Sequence, residues 1–153
     1  MEERYIRNLG ALTEQECAQL RTKTVFVAGC GGLGGYLIEM LLRLGVGAIR
    51  AADGDVFEVS NLNRQLLSST CNLGRSKAEA AKDRAAEVNP GVRFTAIPAF
   101  LTEENAAYIG EGINAIVPHD ADEQTFVLKV ENKTGEIIGG CVAEAYEYGW
   151  SRM

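Results

Sequence analysis

The sequence predicts an α/β fold, a Rossmann-like, doubly wound and mostly parallel sheet, with a C-terminal β-hairpin. Three observations predict it. Over residues 24–34, TVFVAGCGGLG, an apolar β-branched run breaks into Gly29, Gly31, Gly32 and Gly34, and an apolar run long enough for a helix follows. That is a strand, a tight turn and a helix start. A second strand over 48–52 delivers Asp53 at its carboxyl end, nineteen residues after Gly34, which completes a β-α-β unit with parallel strands and a right-handed crossover. Beyond a long polar loop the chain then reads α-β-α-β, half or more of a doubly wound sheet.

The bulk properties suit that fold. The chain has 153 residues, 46% apolar and 24% charged, enough for one domain with a buried core. It reads as a single shortened nucleotide-binding domain: a helical lead-in over 1–23, a Rossmann-like core over 24–117 and a divergent hairpin and tail over 118–153. No apolar run is long enough to span a bilayer, and MEERYIRNLG lacks the apolar core of a signal peptide. Neither a membrane span nor secretion is expected, which places the protein in the cytoplasm. A net charge of −6 argues against a general nucleic-acid surface and leaves phosphate binding to individual cations. Cys17, Cys30, Cys71 and Cys141 form no C-x-x-C pair and His119 is the single histidine, so no zinc and no disulfide framework is expected.

Each element has a local cause. In the lead-in, Thr13 and Glu16 form a capping box, and Cys17 and Leu20 an inner face. Arg7 reads as a solvated helix charge, beside apolar Tyr5, Ile6 and Leu9 that a short lead-in has little core to bury. The run 36–44 is apolar nearly all round, with only Glu39 and Arg43 polar on one face, and Gly45 and Gly47 end it; such a helix is buried against a sheet. Glycines at the loop let the backbone approach a ligand, while the unpaired amides of the new helix attract phosphate. Asp53 is then either a ribose ligand or a turn cap, a role Asp55 shares.

Residues 56–74 are polar and without period, the mark of a functional or mobile segment. Ser76 and Glu79 form a capping box for a helix with a stripe of Ala78, Ala81, Ala85 and Val88, stopped at Asn89-Pro90. Lys77 falls in its first turn, against the dipole, either solvated or placed for an anion. A third strand over 92–97, a short helix from Thr102 and a fourth strand over 113–117 follow. Phe126, Leu128 and Val130, a turn at 132–135, and Ile137 and Ile138 predict the hairpin.

The motifs R-Y-x-R-N at 4–8, GCGGLG at 29–34, D-G-D-V at 53–56, S-N-L-N-R-Q at 60–65, G-R-S-K at 74–77 and N-P at 89–90 resemble, in order and spacing over about residues 4–110, the ThiF/MoeB/HesA family. That family is similar to the adenylation domain of ubiquitin-activating enzymes. The resemblance implies ATP-dependent adenylation of the C-terminal glycine carboxylate of a ubiquitin-like or sulfur-carrier protein ending in Gly-Gly, with release of pyrophosphate. It implies that Gly29, Gly31, Gly32 and Gly34 lie beside the phosphates and that Asp53 holds the ribose. Asn61, Arg64 and Lys77 would contact the triphosphate, with Ser60 and Asn63 in the same nucleotide-binding set. Arg7 would reach a phosphate in the partner subunit of a homodimer, so Arg64, Lys77 and Arg7 are the catalytic set. Cations around the transferring phosphates offset the repulsion between two anions and stabilise charge moving onto pyrophosphate.

The sequence departs from the family after the fourth strand. The usual aspartate-rich segment that helps hold magnesium is replaced by Pro118-His119-Asp120-Ala121-Asp122-Glu123, leaving Asp120 or Asp122 to serve. His119 reads as a loop residue and Cys141 as a buried structural cysteine. The family's catalytic-cysteine region and paired zinc ligands do not occur in this chain. A nucleotide-binding module without turnover is the alternative. A tRNA-base dehydratase relative, disfavoured by the acidic charge, and a nicotinamide-dependent oxidoreductase, which leaves S-N-L-N-R-Q and Lys77 unexplained, rank lower.

Overall fold

The computed structural model describes residues 2–102 and the backbone of two strands, 125–131 and 137–144. The chain divides into two units, 1–112 and 113–153. In the first, β1 (Thr24–Ala28), β2 (Ala48–Ala52) and β3 (Arg93–Ile97) form a parallel sheet in the order β1-β2-β3. The central strand is buried on both faces: Ala48, Ile49, Ala51 and Ala52 are all in the core, as parallel sheets require. Helix α2 (Gly32–Leu44) joins β1 to β2, and α3 (Lys77–Val88) precedes β3. Crossovers of the same hand, stepping the same way across the sheet, put both helices on one face, and α2 and α3 pack together there.

The two helices meet through small residues and one ionic cluster. Ile38, Leu41 and Leu42 of α2 and Ala78, Ala80, Ala81 and Ala85 of α3 are buried. Alanines at helical spacing on α3 allow close approach, so the anticipated stripe is present with Ala80 added and Val88 only half-buried. Ser76 accepts from Glu79 N at 3.4 Å, one arm of the expected capping box. Helix α1 (Glu14–Leu20) carries the full box, with Thr13 and Glu16 bonded reciprocally.

Segment 56–74 is better organised than its polarity suggests. Val56 bridges Ser76, Phe57 N donates to Arg75 O at 3.0 Å and Gly74 N to Phe57 O at 2.8 Å. These contacts close the base of a compact loop, while Phe57 and Leu67 from within it enter the core. Two apolar anchors without periodicity leave no pattern to read in the sequence.

The lead-in is likewise fastened to its own chain. Tyr5, anticipated as surface left for a partner, is buried: its hydroxyl accepts from Asn89 Nδ2 at 2.7 Å and the Arg21 guanidinium lies 4.8 Å over its ring. Asn89 also donates to Leu42 O at 2.8 Å and accepts from Arg4 at 2.7 Å. Ile6 and Leu9 stay exposed.

In the second unit, β4 (Thr125–Glu131) and β5 (Ile137–Glu144) pair antiparallel, the expected hairpin. Strand β5 runs beyond Gly140 because Thr125 at the start of β4 pairs with Glu144. The anticipated helix from Thr102 and fourth parallel strand at 113–117 lie outside the described residues.

Candidate functional site

The carboxyl ends of the three parallel strands stand level, Ala28 beside Ala52 and Ala52 beside Ile97. Ligands of open α/β sheets bind at that edge. Gly29 N donates to Ala52 O at 2.7 Å and Asp53 N to Ile97 O at 3.1 Å, holding the departing loops together. The glycine loop turns at Gly29, whose φ of +87° is strained for a residue with a side chain. Gly34 is required for close approach: a Cβ on it would stand 1.8 Å from the Gly29 carbonyl oxygen. By contrast, a Cβ on Gly32 would meet nothing within 4 Å, so the space beside this first residue of α2 is open. Gly31 caps α2 without a side-chain acceptor, which leaves first-turn amides for an anion or solvent.

Asp53 is held through both carboxylate oxygens. Oδ2 accepts from Cys30 N at 2.7 Å and Oδ1 from Asp55 N at 2.8 Å, so the side chain ties the glycine loop to the loop after β2. The turn-cap reading is therefore realised, and each oxygen keeps a further lone pair for a ribose hydroxyl. Beside it, burial first and the Asp53 charge second push the Cys30 thiol up to about 12. Cys30 is a protonated packing group and not a nucleophile.

Lys77 opens α3 buried rather than solvated. Its Nζ lies 3.1 Å from Asp55 Oδ2, and its backbone N donates to Asp55 O at 3.0 Å. A buried ammonium at a helix start opposes the dipole and desolvation together, and one carboxylate, more than half exposed, offsets only part of that. The position favours a further anion.

The S-N-L-N-R-Q run folds as a tight turn. Val59–Asn61 is a single 3-10 turn, with Glu58 N donating to Asn61 Oδ1 at 3.0 Å. Ser60 Oγ donates to Glu58 Oε2 at 3.4 Å. Arg64 is exposed, and its Nη1 donates to Ser60 O at 2.7 Å and Asn63 Oδ1 at 3.0 Å. Asn61 and Gln65 are buried while Ser60, Asn63 and Arg64 face out. Leu67, against Gly35, and Gln65, against Gly31, bring this turn beside the glycine loop.

Arg7 is not at this site. Its 3-10 helix, Glu3–Asn8, packs Tyr5 against Gly45, and Asn8 Nδ2 donates to Leu44 O at 3.4 Å. That is the far end of a thirteen-residue helix, about 20 Å from the glycine loop at 1.5 Å per residue. Arg7 is exposed there. Asp120 and Asp122 lie outside the described residues, among which no cluster of His, Cys, Asp or Glu is arranged for a metal.

Two features escaped the sequence reading. Asp55 is the partner of Lys77, a pairing 22 residues apart that no local pattern announces. Phe100 lies against Gly54, where a Cβ would stand 2.5 Å from its ring; an aromatic just after β3 was the available signal.

The ThiF family model matches residues 4–121. The chain belongs to the ThiF family. Among ThiF-family and related proteins, it is 36% identical over 121 residues to a sulfur carrier protein adenylyltransferase of Thermus thermophilus, covering 79% of this chain and 44% of that one. It is 37% identical over 100 residues to a tRNA threonylcarbamoyladenosine dehydratase of Bacillus subtilis, covering 65% and 39%. The crystal structure of the E. coli tRNA N6-threonylcarbamoyladenosine dehydratase in complex with ATP superposes with a TM-score of 0.70 and 33% identity, covering 73% of this chain and 46% of that one. The chain thus spans less than half the length of these relatives.

Proposed function

We propose that this chain binds ATP at the carboxyl edge of its sheet and adenylates the C-terminal glycine carboxylate of a sulfur-carrier or ubiquitin-like protein. The observation that carries this reading is the convergence of the glycine loop, Asp53 and the buried Lys77 at that edge in a ThiF-family chain. A carboxylate oxygen of the carrier attacks the α-phosphorus, the bond from that phosphorus to the bridging oxygen breaks, and pyrophosphate leaves with the electron pair. No proton need move. The loop amides orient the phosphates, Asp53 takes a ribose hydroxyl, and Lys77 neutralises charge as it shifts onto the leaving group. Arg64 supplies a bidentate grip once released from Ser60 and Asn63. Magnesium would add charge neutralisation, and no described residue is assigned to it.

Arg7 serves the second subunit of a homodimer in this reading. Its distance from the glycine loop of its own chain, at the opposite end of α2, supports that assignment, as do the exposed Ile6 and Leu9 beside it. The decisive product is the acyl-adenylate. Incubation with ATP and a carrier ending in Gly-Gly should yield adenylated carrier by mass spectrometry, and ATP binding without any adduct would reduce the protein to a nucleotide-binding module.

A second reading, a dehydratase of a modified tRNA base, is favoured by the match to the ATP-complexed dehydratase. The net charge of −6 weighs toward a protein substrate over an RNA. Salt-dependent tRNA binding with no carrier adenylation would reverse that order.

A further inference from the structure

One buried side chain fastens the segment that carries Arg7 to the ends of both helices. Asn89 is 2% exposed, and its carboxamide is bonded on both sides. Nδ2 donates to the Tyr5 hydroxyl at 2.7 Å and to Leu42 O at 2.8 Å, while Oδ1 accepts from Arg4 Nη1 at 2.7 Å and from Gly91 N at 3.2 Å. Its backbone N donates to Ala85 O at 2.8 Å and so closes α3. The bond to Leu42 satisfies a carbonyl in the last turn of α2 that has no partner within that helix. Those contacts finish two helices. The bonds to Arg4 and Tyr5 hold a third element, the 3-10 helix Glu3–Asn8.

In a 3-10 helix, residues three apart eclipse one another. The segment therefore has three faces: Tyr5 with Asn8, Arg4 with Arg7, and Ile6 with Leu9 just beyond its end. The first is turned to its own chain, with Tyr5 buried against Gly45 and Asn8 Nδ2 donating to Leu44 O at 3.4 Å. The third is exposed. Tyr5 and the long Asn8 bond fix where the helix sits, and Asn89, gripping Tyr5 and Arg4 on two adjacent faces, also fixes its roll. Arg7, one turn beyond Arg4 on the same face and exposed, inherits that direction. We propose that Asn89 is a positioning residue for Arg7, acting through Arg4 and Tyr5 to hold the guanidinium and the flanking Ile6 and Leu9 in one orientation outside their own subunit's site. The inference rests on the reading above in which Arg7 serves the second subunit. Its consequence is that damage to the Asn89 contacts is felt in the partner's site.

The test uses two mild variants. Arg4→Met drops one bond to Asn89 at an exposed position, and Tyr5→Phe keeps the ring against Gly45 while dropping its hydroxyl. Each, and Arg7→Ala as the control, is combined with an Arg64→Ala subunit in mixed dimers isolated through two different tags, and tight ATP sites are counted by calorimetry. Arg4→Met and Tyr5→Phe alone should bind ATP at least threefold more weakly than the wild type. Their mixed dimers should regain one site of wild-type affinity, since one site collects both lesions and the other none. Wild-type affinity in both variants alone overturns the proposal, and so does the unfolding of both. Mixed dimers without a tight site also overturn it, because a merely structural lesion stays in its own subunit. In these cases recovery in the Arg7→Ala control leaves the shared site standing. No recovery in that control, or a wild type that is monomeric or binds no ATP, removes the shared site and the proposal together.

Discussion

The Lys77 ammonium stands 3.1 Å from Asp55 Oδ2, with the lysine buried and the aspartate open to solvent. An incoming triphosphate would meet this lysine as a second anion, and the pair predicts an exchange of partners. Asp55→Ala leaves a buried ammonium uncompensated and should cost roughly 1–3 kcal/mol of stability, read as a lower thermal midpoint without nucleotide. ATP should then raise the midpoint of Asp55→Ala more than that of the wild type, because phosphate replaces the missing carboxylate. Lys77→Met should bind ATP at least tenfold more weakly without that loss of stability. Equal ATP-induced shifts in Asp55→Ala and wild type would show that phosphate does not reach Lys77.

Two glycines of one motif separate fold from function. Gly34→Ala drives a methyl group into the Gly29 carbonyl and should cost about 1–3 kcal/mol or more, read by chemical denaturation. Gly32→Ala meets no atom within 4 Å and replaces a helical glycine, so stability should hold or rise by about 0.5–1 kcal/mol. ATP affinity should nevertheless fall, since the methyl group occupies the open space beside the first residue of α2. Undiminished affinity in Gly32→Ala would move the ligand elsewhere.

Stability should decline in acid through one cluster on the helical face. Arg84 donates to both oxygens of Glu39 at 2.9 and 3.0 Å, and Arg43 donates to Oε1 at 2.9 Å. Arg84 above all, with Arg43, holds the Glu39 carboxyl below its ordinary value of 4.5 against the opposing effect of burial. The folded state therefore binds fewer protons than the unfolded one. This stabilisation is complete above the unfolded value and lost as pH falls through the lower folded value. Glu39→Gln should be less stable at pH 7 by about 1.5 kcal/mol, the low end for charged hydrogen bonds because Arg84 is partly screened by solvent. Thermal melts from neutral pH downward should show the gap narrowing in acid, and a constant gap would mean that the pair's charge contributes nothing.

Subunit exchange tests the assignment of Arg7. An Arg7→Ala protein mixed with an Arg64→Ala protein should form mixed dimers in which one site carries both lesions and the other none. Nucleotide binding stoichiometry in the mixture should then exceed that of either variant alone. No recovery despite confirmed exchange, or a monomer by light scattering, would detach Arg7 from the site.

What was legible in the sequence was local. The residues of β1 and β2, the Thr13 cap and the start of α3 follow from apolar runs, glycines and capping residues within a few positions of one another. The hairpin followed from alternation and a turn. The partners were not legible where folding joins distant segments. Lys77 meets Asp55 only because the base of the 56–74 loop closes, and Asn89 reaches Tyr5 across 84 residues. Gln65 was visible as a motif letter, but its position against Gly31 depends on Leu67 entering the core to anchor that loop. Arg84 on α3 could not be paired with Glu39 on α2 before the two helices were known to share a face.

Transfer of an adenylyl group from ATP to a carrier carboxylate is the reaction proposed for this site. Exchange of labelled pyrophosphate into ATP measures it most directly, because formation of the acyl-adenylate is reversible and a binding module performs no such step. With the wild type, exchange should depend on a sulfur-carrier protein ending in Gly-Gly, vanish when that carrier lacks its terminal glycine, and fall at least tenfold in Lys77→Met. Exchange that is absent with every such carrier, in a protein shown by calorimetry to bind ATP, would contradict the account.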